Sequence, residues 1–213
     1  PGPLPGRAPT VRNVPSDHMH RYASMQEYAN AKARIFDRCE NVVINLDDPL
    51  VRVMPHGDAR GLGFSLVAGA SADFYGRKEA DEISLMWHGE RLVKMSELKI
   101  AGLHNAMNAL ASLAMCEALD LEMDTCIDAL RTFEGLPHRS QRIADIDGVR
   151  YVDDSKGTNV GATLAAVAGM PGSLVLIAGG QGKGQDFAPL ATAFRGKVRH
   201  AVLIGQDAKL LAA

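Results

Sequence analysis

The chain has 213 residues, a length that fits one or two domains at about 150 residues each and needs no disulfide or metal staple to bury a core. It is 46% hydrophobic and 23% charged, with a net charge of -2, which argues against a nucleic-acid or membrane-surface binder, since those carry a basic excess. No apolar run approaches the ~20 residues of a membrane span, and no signal-peptide pattern is read at the start. The three cysteines, Cys39, Cys116 and Cys126, form no Cys-x-x-Cys. They read as reduced thiols of a cytoplasmic protein, packed as small apolar residues.

The first fifteen residues hold five of the ten prolines and no apolar period, so 1–15 is expected to be an irregular leader. Ser24-Met25-Gln26-Glu27 fits a capping box, and the spacing of Tyr28, Ala31, Ile35 and Phe36 predicts a helix from there to about Cys39. Val42-Val43-Ile44 reads as a buried strand, closed by turn chemistry in Asn45–Pro49. Residues 51–100 read as short strands, with Ile83–Trp87 and Arg91–Met95 flanking a hairpin turn.

His104–Leu119 is built of good helix formers with almost no charge, which predicts a deeply buried helix. A second helix spans Met123–Phe133, and Glu134-Gly135-Leu136-Pro137 stops it. A domain boundary is expected there, dividing 16–135 from 136–213. Beyond it, Ile143–Ile146 and Val149–Val152 pair around Asp147-Gly148, a type I′ signal. Helices at Asn159–Ala168 and Ala188–Phe194 alternate with strands at Ser173–Ala178 and Ala201–Ile204. That rhythm predicts an α/β fold whose second domain holds three parallel strands, ending in an unfinished helix at Asp207–Ala213. The C-terminus is read as a truncation.

Chemistry concentrates after the Val149–Val152 strand. Asp153-Asp154-Ser155-Lys156-Gly157-Thr158-Asn159 opens a helix, and ligands of open α/β sheets bind at the carboxyl ends of strands. Free amides there attract phosphate or carboxylate, Lys156 can neutralise developing charge, and Asp154 can grip a ribose hydroxyl or a metal. The same residue types also serve ordinary turns. Gly179-Gly180-Gln181-Gly182-Lys183-Gly184 is a second anion-loop candidate. It is neither a Walker A loop nor G-x-G-x-x-G, because Ile177, Gly184 and Gln185 break those patterns. Asn105 and Asn108 sit three apart at the start of an apolar helix. Two buried amides require partners, in the backbone or in a ligand such as adenine. His18-Met19-His20 admits a metal reading but lacks further ligands at suitable spacing, and Lys32 by itself reads as a solvated lysine.

Together LPHRSQ, DDSKGTNVGAT, GGQGKGQDF, GLHNAMNALA and DHMHRY…YANAKARIF resemble the Mur ligase family over almost everything after Asp17. Lys156 favours the D-glutamate-adding branch over relatives such as the folylpolyglutamate synthases. The resemblance implies the C-terminal part of a central ATPase domain followed by a truncated Rossmann-like domain. It implies a cytoplasmic, monomeric enzyme that uses ATP and Mg2+ to join D-glutamate to UDP-N-acetylmuramoyl-L-alanine through an acyl phosphate. Carried over by motif, His18 and a carbamylated Lys32 would hold magnesium, since a hard cation wants oxygen ligands. Asn105 and Asn108 would contact the nucleotide. Arg139 and Asp154 would hold phosphates and ribose, on the other side of Leu136, so that domain closure assembles the site. Lys156 would face the transferred phosphate, and Thr158 and Lys183 the D-glutamate carboxylate. Ser16 and His20 stand where the family has acidic residues, and neither the P-loop nor the uridine-binding domain is found in these residues. No ligase turnover is therefore expected from this chain by itself. A rival reading is a non-catalytic nucleotide- or anion-binding remnant of the same fold, and a weaker one a metal protein built on His18 and His20.

Overall fold

The computed structural model describes residues 6–14, 22–67, 71–80, 82–182 and 184–212. The chain divides into two units, Pro1–Glu134 and Gly135–Ala213. The first contains β1 (Thr10–Val11), α1 (Met25–Ala33), β2 (Asn41–Asn45), α2 (Pro49–Arg52), β3 (Arg60–Ser65), β4 (Phe74–Glu79), β5 (Glu82–Trp87), β6 (Glu90–Lys94), α3 (Leu103–Ala118) and α4 (Met123–Thr132). Its strands form one six-stranded sheet in sequential order. The first four are parallel, and β4, β5 and β6 form an antiparallel meander.

The centre of β2, Val42–Ile44, is apolar because both of its faces are covered. Val43 points into a cluster with Leu62, Phe64, Phe74, Leu110 and Leu113, which holds α3 to the sheet. Val42 and Ile44 point into a second cluster with Tyr28, Phe36 and Val51, which seats α1 and α2. Alanines at 106, 109, 111 and 114 of α3 are all buried, so this helix packs close to the strands. Asn41 Nδ2 donates to the Ala118 carbonyl at 3.1 Å and ties the start of β2 to the end of α3.

Residues 6–14 depart from the expectation of an irregular segment. Thr10–Val11 is a strand on the edge of the sheet, paired in parallel with Val43 and Ile44, and Val11 and Val14 are buried. Among the described residues nothing pairs with the other side of β1, so proline is tolerated beside it. Pro9 contributes its carbonyl, which accepts from Val43 N at 2.9 Å. Helix α1 starts as expected, with Ser24 Oγ accepting from Glu27 N and Glu27 Oε2 accepting from Ala23 N. It ends earlier than the periodicity suggests. A 3-10 turn at Arg34–Phe36 rotates Phe36 into the core, and Arg38, at φ 61, redirects the chain toward β2. Asp48 caps the unforeseen α2, accepting from Leu50 N and Val51 N.

The second unit contains β7 (Gln141–Ile146), β8 (Val149–Asp153), α5 (Val160–Gly169), β9 (Leu174–Gly179), α6 (Ala188–Phe194), β10 (Val198–Ile204) and α7 (Ala208–Ala212). Asp147 and Gly148, at φ 50 and 77, close the β7–β8 hairpin as the type I′ signal requires. The expected run of three parallel strands is not what forms. Strands β9 and β10 pair in parallel, and among the described residues β8 pairs only with β7 and no ladder joins β8 to β9. A β–α–β connection fixes the direction of the returning strand but not its adjacency, whereas a two-residue turn secures β7 to β8 locally. Val167 of α5 and Leu190 of α6 are buried, while Val175, Ile177, Val202 and Ile204 leave one face of the β9–β10 pair exposed. Among the described residues no helix is long and apolar enough to cross a membrane.

Candidate functional site

The most closely knit chemistry lies in the second unit, where the loop before β7 is laced to the loop after β8. His138 Nδ1 lies 2.7 Å from Asp153 Oδ2. Lys156 N donates to the His138 carbonyl at 3.1 Å, and Ser140 N donates to Asp154 Oδ1 at 2.7 Å. His138 and Ser140 adopt left-handed φ values of 63 and 48, a conformation that costs non-glycine residues energy unless neighbours hold it. These three cross-loop bonds hold it. Arg139 is thereby fixed between two anchored residues and beside the segment carrying Asp154, Lys156 and Thr158. The Arg139, Lys156 and Thr158 side chains are exposed, and neither cation has an ion-pair partner among the described residues. Two unneutralised cations beside a carboxylate suit a polyanionic ligand that also carries hydroxyls.

Asp153 is held well below the ordinary carboxylate range, at about 2, first by the His138 hydrogen bond and then by the Ser155 amide. Asp154 spends one oxygen on Ser140, and its other oxygen would lie 2.8 Å from a Cβ placed at Gly157. Glycine at 157 is what lets this turn close on the carboxylate.

The start of α5 corrects one expectation. Its first turn does not present a row of free amides. Asn159 Oδ1 accepts from Ala162 N at 2.7 Å, and Gln185 Oε1 accepts from Val160 N at 3.0 Å. An anion at this end would meet side chains and the helix dipole more than open N–H groups. Gly182 N donates to Asp207 Oδ2 at 2.6 Å, joining the second glycine loop to the segment before α7. Lys183 itself lies outside the described residues, as do His18 and His20.

In the first unit, the two asparagines of α3 both have partners, although neither amide is buried as the sequence led one to expect. Asn105 Nδ2 donates to the Ala101 carbonyl at 2.8 Å, and Asn108 Nδ2 reaches Asn105 Oδ1 at 3.4 Å. Asn105 is half-buried and acts as a brace, while Asn108 is exposed at the helix surface. Lys32 Nζ sits 5.0 Å from the Tyr28 ring centroid, a cation–π contact. An ammonium repels a divalent cation, so Lys32 suits a magnesium site only as a carbamate. Among the described residues no group of three or more His, Cys, Asp or Glu is placed to hold a metal.

The residues that sequence reasoning passed over are His138, Asp153, Ser140 and Gln185, which organise those it chose. At the carboxyl ends of β2 and β3, Asn45 and Asp47 are also committed to structure. Asp47 accepts from Ser65 Oγ and Leu66 N, and Asn45 Nδ2 donates to the Arg12 carbonyl. A cleft lined by Arg34, Arg38, Glu40, His56 and Asp58 lies at the amino ends of those strands, the end opposite to where ligands of α/β sheets bind.

Comparison with known proteins adds an independent observation. The family described as "Mur ligase middle domain" matches residues 7–116, and that described as "Mur ligase, glutamate ligase domain" matches residues 138–213. The chain is 52% identical over 210 residues to the UDP-N-acetylmuramoylalanine–D-glutamate ligase of Methylobacillus flagellatus, covering 98% of this chain and 46% of that protein. The fold resembles MurF from Acinetobacter baumannii with a TM-score of 0.75 at 18% identity, over 97% of this chain and 49% of that one. It also resembles the MurF ligase of Thermotoga maritima in complex with ADP, with a TM-score of 0.69 at 18% identity, over 95% of this chain and 53% of that one. The chain thus spans about half the length of the curated relative it matches.

Proposed function

The chain belongs to the Mur ligase family, and from that premise we propose that it carries the nucleotide-facing and amino-acid-facing parts of an ATP-dependent ligase. That enzyme joins D-glutamate to UDP-N-acetylmuramoyl-L-alanine in peptidoglycan-precursor synthesis, acting in the cytoplasm as a monomer on small-molecule substrates. The observation that carries this reading is the lacing of residues 138–140 to residues 153–157. It gathers Arg139, Asp154 and Lys156 at one strand end.

In this reading the exposed amide of Asn108, braced by Asn105, contacts the adenine edge. Arg139 grips the phosphates and Asp154 a ribose hydroxyl. The L-alanyl carboxylate of the UDP-sugar substrate attacks the γ-phosphorus of ATP, and ADP leaves. Lys156 stabilises the negative charge on the transferred phosphoryl oxygens as it develops. The amine of D-glutamate, its carboxylate held by Thr158 and Lys183, then attacks the acyl carbon. Phosphate leaves from the tetrahedral intermediate, and the amine gives up a proton. Magnesium would be held by His18 and by a carbamate at Lys32, and when bound would offset the charge of the ATP phosphates. Peptide mass spectrometry of Lys32, looking for the mass of one added carbon dioxide, tests the modification.

Calorimetric titration of the chain with Mg-ATP tests the nucleotide reading. Lys156→Ala and Asn108→Ala are each expected to weaken binding about tenfold, the effect of losing a hydrogen bond to a charged group or a well-placed base contact. Lys156→Ala should also erase any preference for ATP over AMP. Binding unchanged in both variants would overturn the assignment.

A further inference from the structure

The side chain of Gln185, whose hydrogen bonds among the described residues reach none of the substrate-facing ones, joins two segments of the second unit. Its Oε1 accepts from Val160 N at 3.0 Å, in the first turn of α5 and two residues beyond Thr158. Its Nε2 and its own backbone N–H both donate to the Gly182 carbonyl, at 3.1 and 3.0 Å. The other end of the Gly182 residue is held as well, since its N–H donates to Asp207 Oδ2. A side chain at 182 would meet Phe187 Cζ at 2.4 Å, so the loop lies this close only because that residue is glycine. Gln185 is half-buried, where both ends of its amide are satisfied within the protein.

We propose that Gln185 is a positioning residue that sets the distance between the glycine loop after β9 and the Thr158–Val160 turn. In doing so it fixes the gap into which the carboxylate of an amino-acid substrate fits. The proposal rests on the reading of Thr158 as a D-glutamate contact. A neutral amide suits this task. It satisfies the Val160 N–H without placing a negative charge beside an incoming carboxylate, as an acidic residue there would. The lengths at both ends match the reach of a glutamine, and asparagine is one methylene too short to bond Val160 and Gly182 together.

The test uses the 213-residue chain, nitrogen-15 labelled and titrated with D-glutamate while the Val160 amide is followed. In Gln185→Ala the dissociation constant for D-glutamate should rise about fivefold, the effect of one lost hydrogen-bond link, and the Val160 amide should exchange faster with solvent. Affinity for Mg-ATP should not change. Gln185→Glu should keep Val160 protected yet bind D-glutamate more weakly still, because it leaves a carboxylate in the gap. If Gln185→Ala fails to fold, Gln185→Met keeps the length and removes both polar atoms. Equal D-glutamate affinity in the wild-type chain and the variants overturns the proposal, as does an equal weakening of D-glutamate and Mg-ATP, which would mark a merely structural role. Absence of D-glutamate binding to the wild-type chain overturns the reading of Thr158 and this inference with it.

Discussion

His138 Nδ1 and Asp153 Oδ2 lie 2.7 Å apart, and this contact closes the open end of the β7–β8 hairpin. It couples a carboxylate titration to loop placement. The folded-state value for Asp153, about 2, lies below its ordinary 3.8. A depressed carboxylate stabilises the fold above its unfolded value, and the stabilisation is lost as pH falls through the folded value. The linked stability is therefore fully present above pH 3.8 and vanishes as pH falls through about 2. In His138→Ala the Asp153 carboxyl, followed by carbon-13 NMR, should titrate closer to 3.8. A midpoint that stays near 2 would show that the Ser155 amide alone sets it.

The Cys116 thiol sits beside Cys126, and burial, followed by that neighbour, pushes it up to about 11. Only the thiolate attacks an alkylating agent. Iodoacetamide at pH 8 should therefore label Cys116 last of the three cysteines, and its rate should climb steeply as pH rises toward 11. Peptide mapping against time reads this, and early labelling of Cys116 would contradict it.

Phe64 is fully buried in β3 between α3 and the neighbouring strands. Phe64→Ala should cost about 3–5 kcal/mol, because the rigid sheet around it cannot collapse into the cavity. Urea denaturation should show a lowered midpoint with an unchanged slope. A loss below about 1 kcal/mol would mean the site relaxes as a loosely packed core does.

Gly179 has φ 148, and a Cβ placed there would lie 1.8 Å from the Ile204 carbonyl oxygen. Gly179→Ala must push the ends of β9 and β10 apart, with an expected loss of about 3 kcal/mol. Gly57, at φ 59 with open space around it, is the control. There alanine meets only backbone strain, about 1 kcal/mol. Comparable melting temperatures for the two variants would refute the close-approach argument.

Elements with a strong period or a specific turn pair could be read from the residues. α3 shows an uninterrupted apolar face, and Asp147-Gly148 names its own hairpin. What escaped was set at a distance. Thr10–Val11 is a strand only because Val43 and Ile44 offer it an edge. The 3-10 turn at Arg34–Phe36 forms because Phe36 has a core to enter. In the site, Arg139, Asp154 and Lys156 stood out by residue type and motif. Their anchors did not, because a histidine or glutamine acting through a neighbour carries no local pattern. Gln185 meets Val160 across 25 residues of sequence, and no window centred on either one shows it.

The edge position of β1 bears on how the protein is handled. The proline-rich segment before Pro15 invites removal when a shorter version of these 213 residues is prepared. Cutting before Pro15 would take away Val11 and Val14, the Pro9 carbonyl that serves Val43, and the Arg12 carbonyl that serves Asn45. It would bare the backbone of β2 along its whole paired edge, an invitation to intermolecular strand pairing. The shortened chain should come out of the cell less soluble than the 213-residue chain.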